Sequence, residues 1–517
     1  PYSTPARYSA AMAIADVSVA EMSPGQRYMV LVTVSSATML YAMTMTIANV
    51  VLPQMRGAFS ASPEEITWVV TYNLVATAVI TPISGWLASR FGRRKVMLTS
   101  ALGFTIATIF CGLAESLEAI VFYRIAQGAF GAPLVPIAQS TLLDTFPRQQ
   151  HSLVSALFGF GVVLGPIIGP TVGGAVAEAH NWRWAFFLIV PFALLTVLGI
   201  FLFIRDRKRT EPPRSLDWTG FLALAIALAA MQLMFGRGEQ NYWFESTETI
   251  IEAVLAAGAI YLFVIHSLTS KQPFISASLF HNRNYSVGIC LAFIFGMLNF
   301  TLMVLTPTML QDLRGYPDSV IGMLLATRGI GSIAAVLVVV RLSNWDPRMA
   351  LSIGFTCQAL AGYAMSQFDI NMTYWDIAWT STLQGFGIGM SWVPLTLIMF
   401  SNVKPERLDE ASAVFHMLRN FAASLFISIS VAVVVRSTFI NTMALNELIS
   451  LFNKSLLFPS VTGPLDFSDI NSLALVASEV RRQATMIGYI NAFKLFTVLS
   501  VLPIPFIWLA RLPRHDS

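Results

Sequence analysis

Fourteen stretches of predominantly apolar residues, at 28–51, 66–88, 96–114, 119–143, 152–177, 184–204, 217–236, 248–268, 285–310, 319–340, 349–367, 376–400, 411–435 and 487–510, leave this 517-residue chain few folds to choose from. Each has about the 20 residues a helix needs to cross a hydrocarbon core. Backbone in lipid must also satisfy its own hydrogen bonds, so repeated spans of this length mean an all-α polytopic membrane protein. Composition agrees: 12% of the residues are charged, against about 25% in a soluble domain, and mean hydropathy is +0.66.

The hydrophilic segments set the expected orientation. Of the 32 Lys and Arg residues, 20 fall on the side of the N-terminus, 8 on the other side and 4 inside spans. An excess of positive charge marks the cytoplasmic side, which places both termini there. The expected organisation is a cytoplasmic tail at 1–27, a six-helix bundle at 28–204, a basic linker at 205–216, two inserted helices with their loop at 217–284, and a second six-helix bundle at 285–510. That second bundle carries an external loop at 436–486, and a short tail follows at 511–517. The N-terminal tail lacks an uncharged apolar core and reads as a tail, not a signal peptide. Ser62-Pro63-Glu64-Glu65 supplies a capping serine, a first-turn proline and a glutamate three residues after the cap, so the second span should begin there. Net charge is only +4 and dispersed, which gives nucleic acid no basic footprint. Cys111, Cys290 and Cys357 lie singly in apolar spans without ligand spacing, so they read as packing residues, and no metal or cofactor is expected.

Charge inside the spans is costly and marks function by default. Arg124, Arg328, Arg419 and Lys494 are the basic residues there, with His416 one turn before Arg419 and Gln127 one turn after Arg124. Of the 28 acids only Glu252 sits clearly within a span. The expected interior is therefore a basic lining without compensating carboxylates. Gly161, Gly165, Gly169 and Gly173, with Gly174 and Pro166, form a stripe of small residues on one span, where another helix can approach closely. A weak repeat relates the halves: Gln127-Gly128 followed by Pro136 recurs as Gln384-Gly385 followed by Pro394. Such repeats around a midplane site are a transporter's usual architecture.

These residues resemble a known family. The turn at 85–95, with Gly85, Gly92 and Arg93, is similar to the loop signature of the major facilitator superfamily. The stretch 124–133 is similar to its fourth-helix signature, and 161–174 to the fifth-helix signature of its antiporters. With fourteen spans, Thr46-Ile47 ahead of Pro53, and Trp182-Arg183-Trp184, the chain resembles the EmrB/QacA group of drug:proton antiporters. The resemblance implies a proton-driven exporter of small amphipathic molecules in a bacterial inner membrane. It also implies a periplasmic adaptor and an outer-membrane channel as partners. The chain departs from the group where acids are usual: Thr44 in the first span, Asn491 in the last and Ser89 in the loop signature. With those acids gone, protons are expected to move through His416, the central group able to titrate near neutral pH, through an acid near a span end such as Asp144 or Asp312, or with the substrate itself.

The leading expectation is a secondary active exporter working by alternating access, drawn to anionic or weakly acidic substrates such as a carboxylate siderophore, because unneutralised positive charge in low dielectric attracts anions. Two other classes compete. One is a non-transporting sensor or scaffold derived from a transporter. The other is a polytopic membrane enzyme, for which the sequence offers no nucleophile and base pair and no metal cluster.

Overall fold

The computed structural model describes residues 22–206, 215–449 and 470–510. The N-terminal half holds α1 (Pro24–Phe59), α2 (Pro63–Ile80), α3 (Ser84–Phe91), α4 (Arg93–Leu113), α5 (Leu117–Gly131), α6 (Leu134–Thr145), α7 (His151–Ala179), α8 (Trp182–Phe187) and α9 (Ile189–Phe203). Two inserted helices follow, α10 (Trp218–Arg237) and α11 (Thr247–Thr269). The C-terminal half holds α12 (Arg283–Arg314), α13 (Asp318–Trp345), α14 (Pro347–Met365), α15 (Tyr374–Phe400), α16 (Leu408–Leu448), α17 (Ile470–Val501) and α18 (Pro503–Ile507).

Every expected span is helical. Three of the breaks inside spans fall at prolines, which lack the N–H that the ladder needs, and a fourth falls at Leu188, between α8 and α9. Pro82 separates α2 from α3 at a bend of 52°, Pro133 separates α5 from α6, and Pro503 opens α18. Among the described residues twelve helices are long and apolar enough to cross a membrane, thirteen with the bent α2–α3 pair. The remaining expected span, 349–367, is the 19-residue α14, which buries Gln358 against α15. The start at Ser62 forms as the sequence dictates: Ser62 Oγ accepts from Glu65 N at 3.1 Å, and Ser62 N donates to Glu65 Oε2 at 2.9 Å.

The segment expected as an external loop at 436–486 is instead helical at both ends. The helix α16 runs on to Leu448 and α17 begins at Ile470, while 450–469 lies outside the described residues. Neither extension contains proline or glycine, so the helices continue past the apolar stretch, and α16 packs along α17. Most of the linker, 207–214, also lies outside the described residues.

The halves meet on two fronts. The helix α7 packs against α13 and α15, and α16 packs against α3 and α6. The inserted helix α10 lies against both α2 and α16, tied to the latter by Gln232 Nε2 donating to Ser424 Oγ (2.9 Å) and Ser428 Oγ donating to the Phe235 carbonyl (3.0 Å). Its partner α11 is largely exposed. The acid Glu252 pairs at 3.0 Å with Arg237, at the ends of α11 and α10 farther from the linker. The repeat is visible as packing: a Cβ on Gly128 would lie 2.5 Å from the Asn73 carbonyl oxygen of α2, and one on Gly385 would collide with the Arg328 carbonyl of α13.

Candidate substrate and gating site

In the N-terminal half, Arg124 is fully buried. Its Nε donates to the Val69 carbonyl at 3.1 Å, and Nη1 donates to Gln127 Oε1 at 2.5 Å. Gln127 Nε2 in turn donates to Thr108 Oγ1 at 2.7 Å. The backbone is held as well, because Asn73 Nδ2 donates to the Arg124 carbonyl at 2.7 Å. Arg124 therefore ties α2, α4 and α5 together through neutral acceptors, and only Nη2 lacks a partner. Tyr41, on α1, bonds Thr77 at 2.9 Å and lies within electrostatic reach of both Arg124 and Arg419.

In the C-terminal half, Arg328 reaches from α13 to Asn299 of α12, donating from Nη2 to that residue's carbonyl and to its Oδ1. Its Nε has no partner, and the side chain lines a narrow cleft with Val162, Pro166 and Ile167 of α7. Arg419 is 4% exposed and has a single acceptor, the Oδ1 of the adjacent Asn420, which takes Nη2 at 2.9 Å. Its Nη1 is unpartnered, and its guanidinium lies 5.5 Å from the Trp392 ring centroid. His416 touches the same indole with ring centroids 6.3 Å apart.

The two halves are fastened on the face that carries the 85–95 turn. Arg93 Nη1 pairs with Asp144 of its own half at 2.6 Å, and Nε pairs with Asp409 of the other half at 2.9 Å. Ser140 Oγ donates to the same carboxylate at 2.5 Å. One turn deeper Ser412 Oγ donates to the Pro136 carbonyl at 2.8 Å, and deeper still His416 Nε2 donates to Gln139 Oε1 at 2.5 Å. Successive turns of α16 thus form a polar zipper on α6, with the ion pair at the rim and His416 at its deep end. Gly85 permits this closure, because a Cβ there would sit 2.8 Å from the Asp409 carbonyl oxygen. Gly92 adopts φ +93°, a conformation that favours glycine. It leaves room for Asp206, whose Oδ1 accepts the Arg94 amide at 2.9 Å and caps α4. A cavity of about 710 Å³ opens beside this junction, between α3, the loop after α11 and the start of α16.

The glycine stripe of α7 faces α1, within its own half. Cβ atoms on Gly161, Gly165 and Gly169 would lie 3.4, 2.5 and 2.9 Å from the carbonyl oxygens of Ser35, Met39 and Met43, and one on Gly173 would meet Ile47 at 2.3 Å. Gly174 sits against Val50. The opposite face of α7 meets the other half, where a Cβ on Gly159 would lie 2.3 Å from the Trp392 indole.

The structure gathers Arg419 and His416 around one indole, and sets Arg124 with Gln127 and Arg328 with Asn299 in separate neighbouring nodes. Lys494 joins none of them: it is exposed on α17, with Val498 and Val501 on the same outward side. The helical phase of α17, which buries Tyr489, Ala492, Phe493 and Phe496, turns Lys494 away from the bundle. Cys290 likewise lies on an exposed face. Asp409, Gln139 and Trp392 escaped the sequence reading. An acid in the first turn of a helix already has an explanation in the helix dipole, whereas Gln139, a polar residue deep in an apolar span, was a usable signal.

Two helical bundles meeting around a buried polar midline, with a charged latch across one end, define a transporter architecture. Residues 34–427 match the family model for the Major Facilitator Superfamily, and the chain belongs to that superfamily. It is 31% identical over 487 residues to the multidrug export protein EmrB of Escherichia coli K12, covering 93% of this chain and 95% of that one. It is 29% identical over 483 residues to the fatty acid resistance protein FarB of Neisseria gonorrhoeae, covering 93% and 95%. The crystal structure of the human organic anion transporter MFSD10 shares the fold at 13% identity, with a TM-score of 0.61 over 94% of this chain and 100% of that one.

Proposed function

We propose that the protein is a proton-coupled exporter of amphipathic organic anions and weak acids, working by alternating access in a bacterial inner membrane with both termini in the cytoplasm. One observation carries the anion preference. Arg124, Arg328 and Arg419 are buried, each keeps an N–H without an acceptor, and none has an acid partner among the described residues. A buried charge without a partner is expensive, and an anionic ligand would relieve that cost. Likeness to a drug exporter and to a protein named for fatty acid resistance supports the same class.

The latch on the basic face would close the cytoplasmic side, so that breaking the Arg93–Asp409 pair and the zipper beneath it opens the path inward. With no acid at Thr44 or Asn491, His416 is the group proposed to pass protons, in company with the substrate's own proton. The paired extensions of α16 and α17 expose Phe439, Ile440, Met443 and Leu475 on the far side, a surface suited to the periplasmic adaptor that would lead to an outer-membrane channel.

Everted vesicles test the reading. Organic anions should accumulate when a proton gradient is imposed, and accumulation of organic cations alone would overturn it. In proteoliposomes, His416→Ala should uncouple flux from the pH gradient, whereas undiminished coupling removes His416 from the role.

A further inference from the structure

The three arginine nodes are not equivalent as ligand sites. Arg124 bonds Val69 and Gln127 within the N-terminal half through Nε and Nη1, and leaves Nη2 open. Arg328 bonds Asn299 through Nη2 alone, and its buried Nε has no partner. Arg419 leaves a terminal Nη1 open, and its one acceptor belongs to the next residue in the chain.

One turn away, His416 is 1% exposed and donates through Nε2 to Gln139. Its Nδ1 has no partner, and because the neutral ring carries its proton on Nε2, that nitrogen is a buried, empty acceptor. A donor and an acceptor thus stand open side by side on one face of α16, against the Trp392 ring. The surroundings are apolar: Phe158, Phe295 and Phe415 pack around the same indole with centroids 6.5, 5.9 and 5.7 Å from it. The groups that face His416 from other elements are neutral, Gln139 from α6 and Trp392 from α15, and the charge acting on it is Arg419 of its own helix.

We propose that Arg419 and His416 form the head-group site for a protonated weak acid, an aromatic or aliphatic carboxylic acid, rather than for a permanent anion. The acid's carbonyl oxygen accepts from Arg419 Nη1, and its O–H donates to His416 Nδ1. Transfer along that bond breaks O–H and forms Nδ1–H, leaving a carboxylate between two cations with no other reactant required. A sulfonate satisfies Arg419 but brings no proton to Nδ1. The site therefore discriminates by acidity, and it hands the substrate's proton to the residue that holds the two halves together through Gln139. This rests on the organic-anion reading above.

The test uses the full-length protein in lipid nanodiscs, titrated calorimetrically at about pH 4.5, near the pKa of a carboxylic acid, with 2-naphthoate, 2-naphthalenesulfonate and 2-naphthylmethylammonium, which share a ring system and differ in head group. The parent should bind naphthoate about tenfold more tightly than the sulfonate, the worth of one hydrogen bond to a charged group. His416→Phe should erase that preference while keeping sulfonate affinity, and Arg419→Gln should weaken both anions by at least about tenfold. Arg419→Lys, which keeps the charge, separates loss of ligand binding from loss of folding, and thermal melting of every variant checks the same. Equal binding of both anions by the parent, with no change in His416→Phe, overturns the head-group site while the anion reading stands. Tighter binding of the ammonium than of either anion overturns both.

Discussion

Substituting Asp409→Asn should open the latch between the halves. Arg93 Nε lies 2.9 and 3.2 Å from the two Asp409 oxygens, and the paired side chains are only 11% and 13% exposed. Removing one partner of a buried ion pair costs about 3–5 kcal/mol. Here Arg93 keeps Asp144, and asparagine can still accept hydrogen bonds from Arg93 and Ser140. The loss is then closer to that of a charge-assisted hydrogen bond, about 2 kcal/mol. An energy of that size shifts a two-state equilibrium about 30-fold toward the conformation open at this face. Spin labels at Gln149 and Glu406, both exposed and on opposite halves, read the separation by pulsed electron paramagnetic resonance after Cys111, Cys290 and Cys357 are replaced. The parent should show one short distance, and Asp409→Asn should add a longer population. Asp144→Asn should shift it much less, because Arg93 and Asp144 move together in one half. In an Arg93→Gln background, Asp409→Asn should have a smaller effect than in the parent, since the charged partner is already gone. An unchanged distance distribution in Asp409→Asn, or an equal shift in Asp144→Asn, would refute the latch.

Three further outcomes follow from packing. Gly165→Ala should destabilise α1 against α7 by about 1–3 kcal/mol, because the added Cβ meets the Met39 backbone oxygen at 2.5 Å; a melting temperature equal to the parent's would contradict that contact. Lys494→Gln should leave transport within about twofold, since a lysine on an exposed helix face can extend its amine along the helix to the membrane surface; a large loss of flux would return Lys494 to the pathway. Gln232→Leu should weaken the hold of α10 on α16 by about 0.6 kcal/mol, measured in a double-mutant cycle with Ser424→Ala, whose interaction energy should match the single effect.

The pattern of apolar length decided the helices, because each span must both cross lipid and satisfy its own backbone. The capped start at Ser62 was legible, being local chemistry; which prolines break a helix was not, since Pro82 bends one while Pro307 and Pro394 lie inside continuous helices. Glycine spacing announced a close helix contact on α7, yet not whose: the partner is α1 of the same half, a choice made by the bundle's topology. The basic residues inside the spans could be counted in advance, but their meaning could not. Burial of Arg124 among neutral acceptors, the open Nη1 of Arg419 beside the empty Nδ1 of His416, and the outward turn of Lys494 depend on helical phase and on which neighbour faces each side chain. Asp409 reaches Arg93 across 316 residues of chain, a pairing that no local pattern encodes. Sequence periodicity thus set what could be buried, while the packing of α6, α15 and α16 settled which buried groups were left without partners.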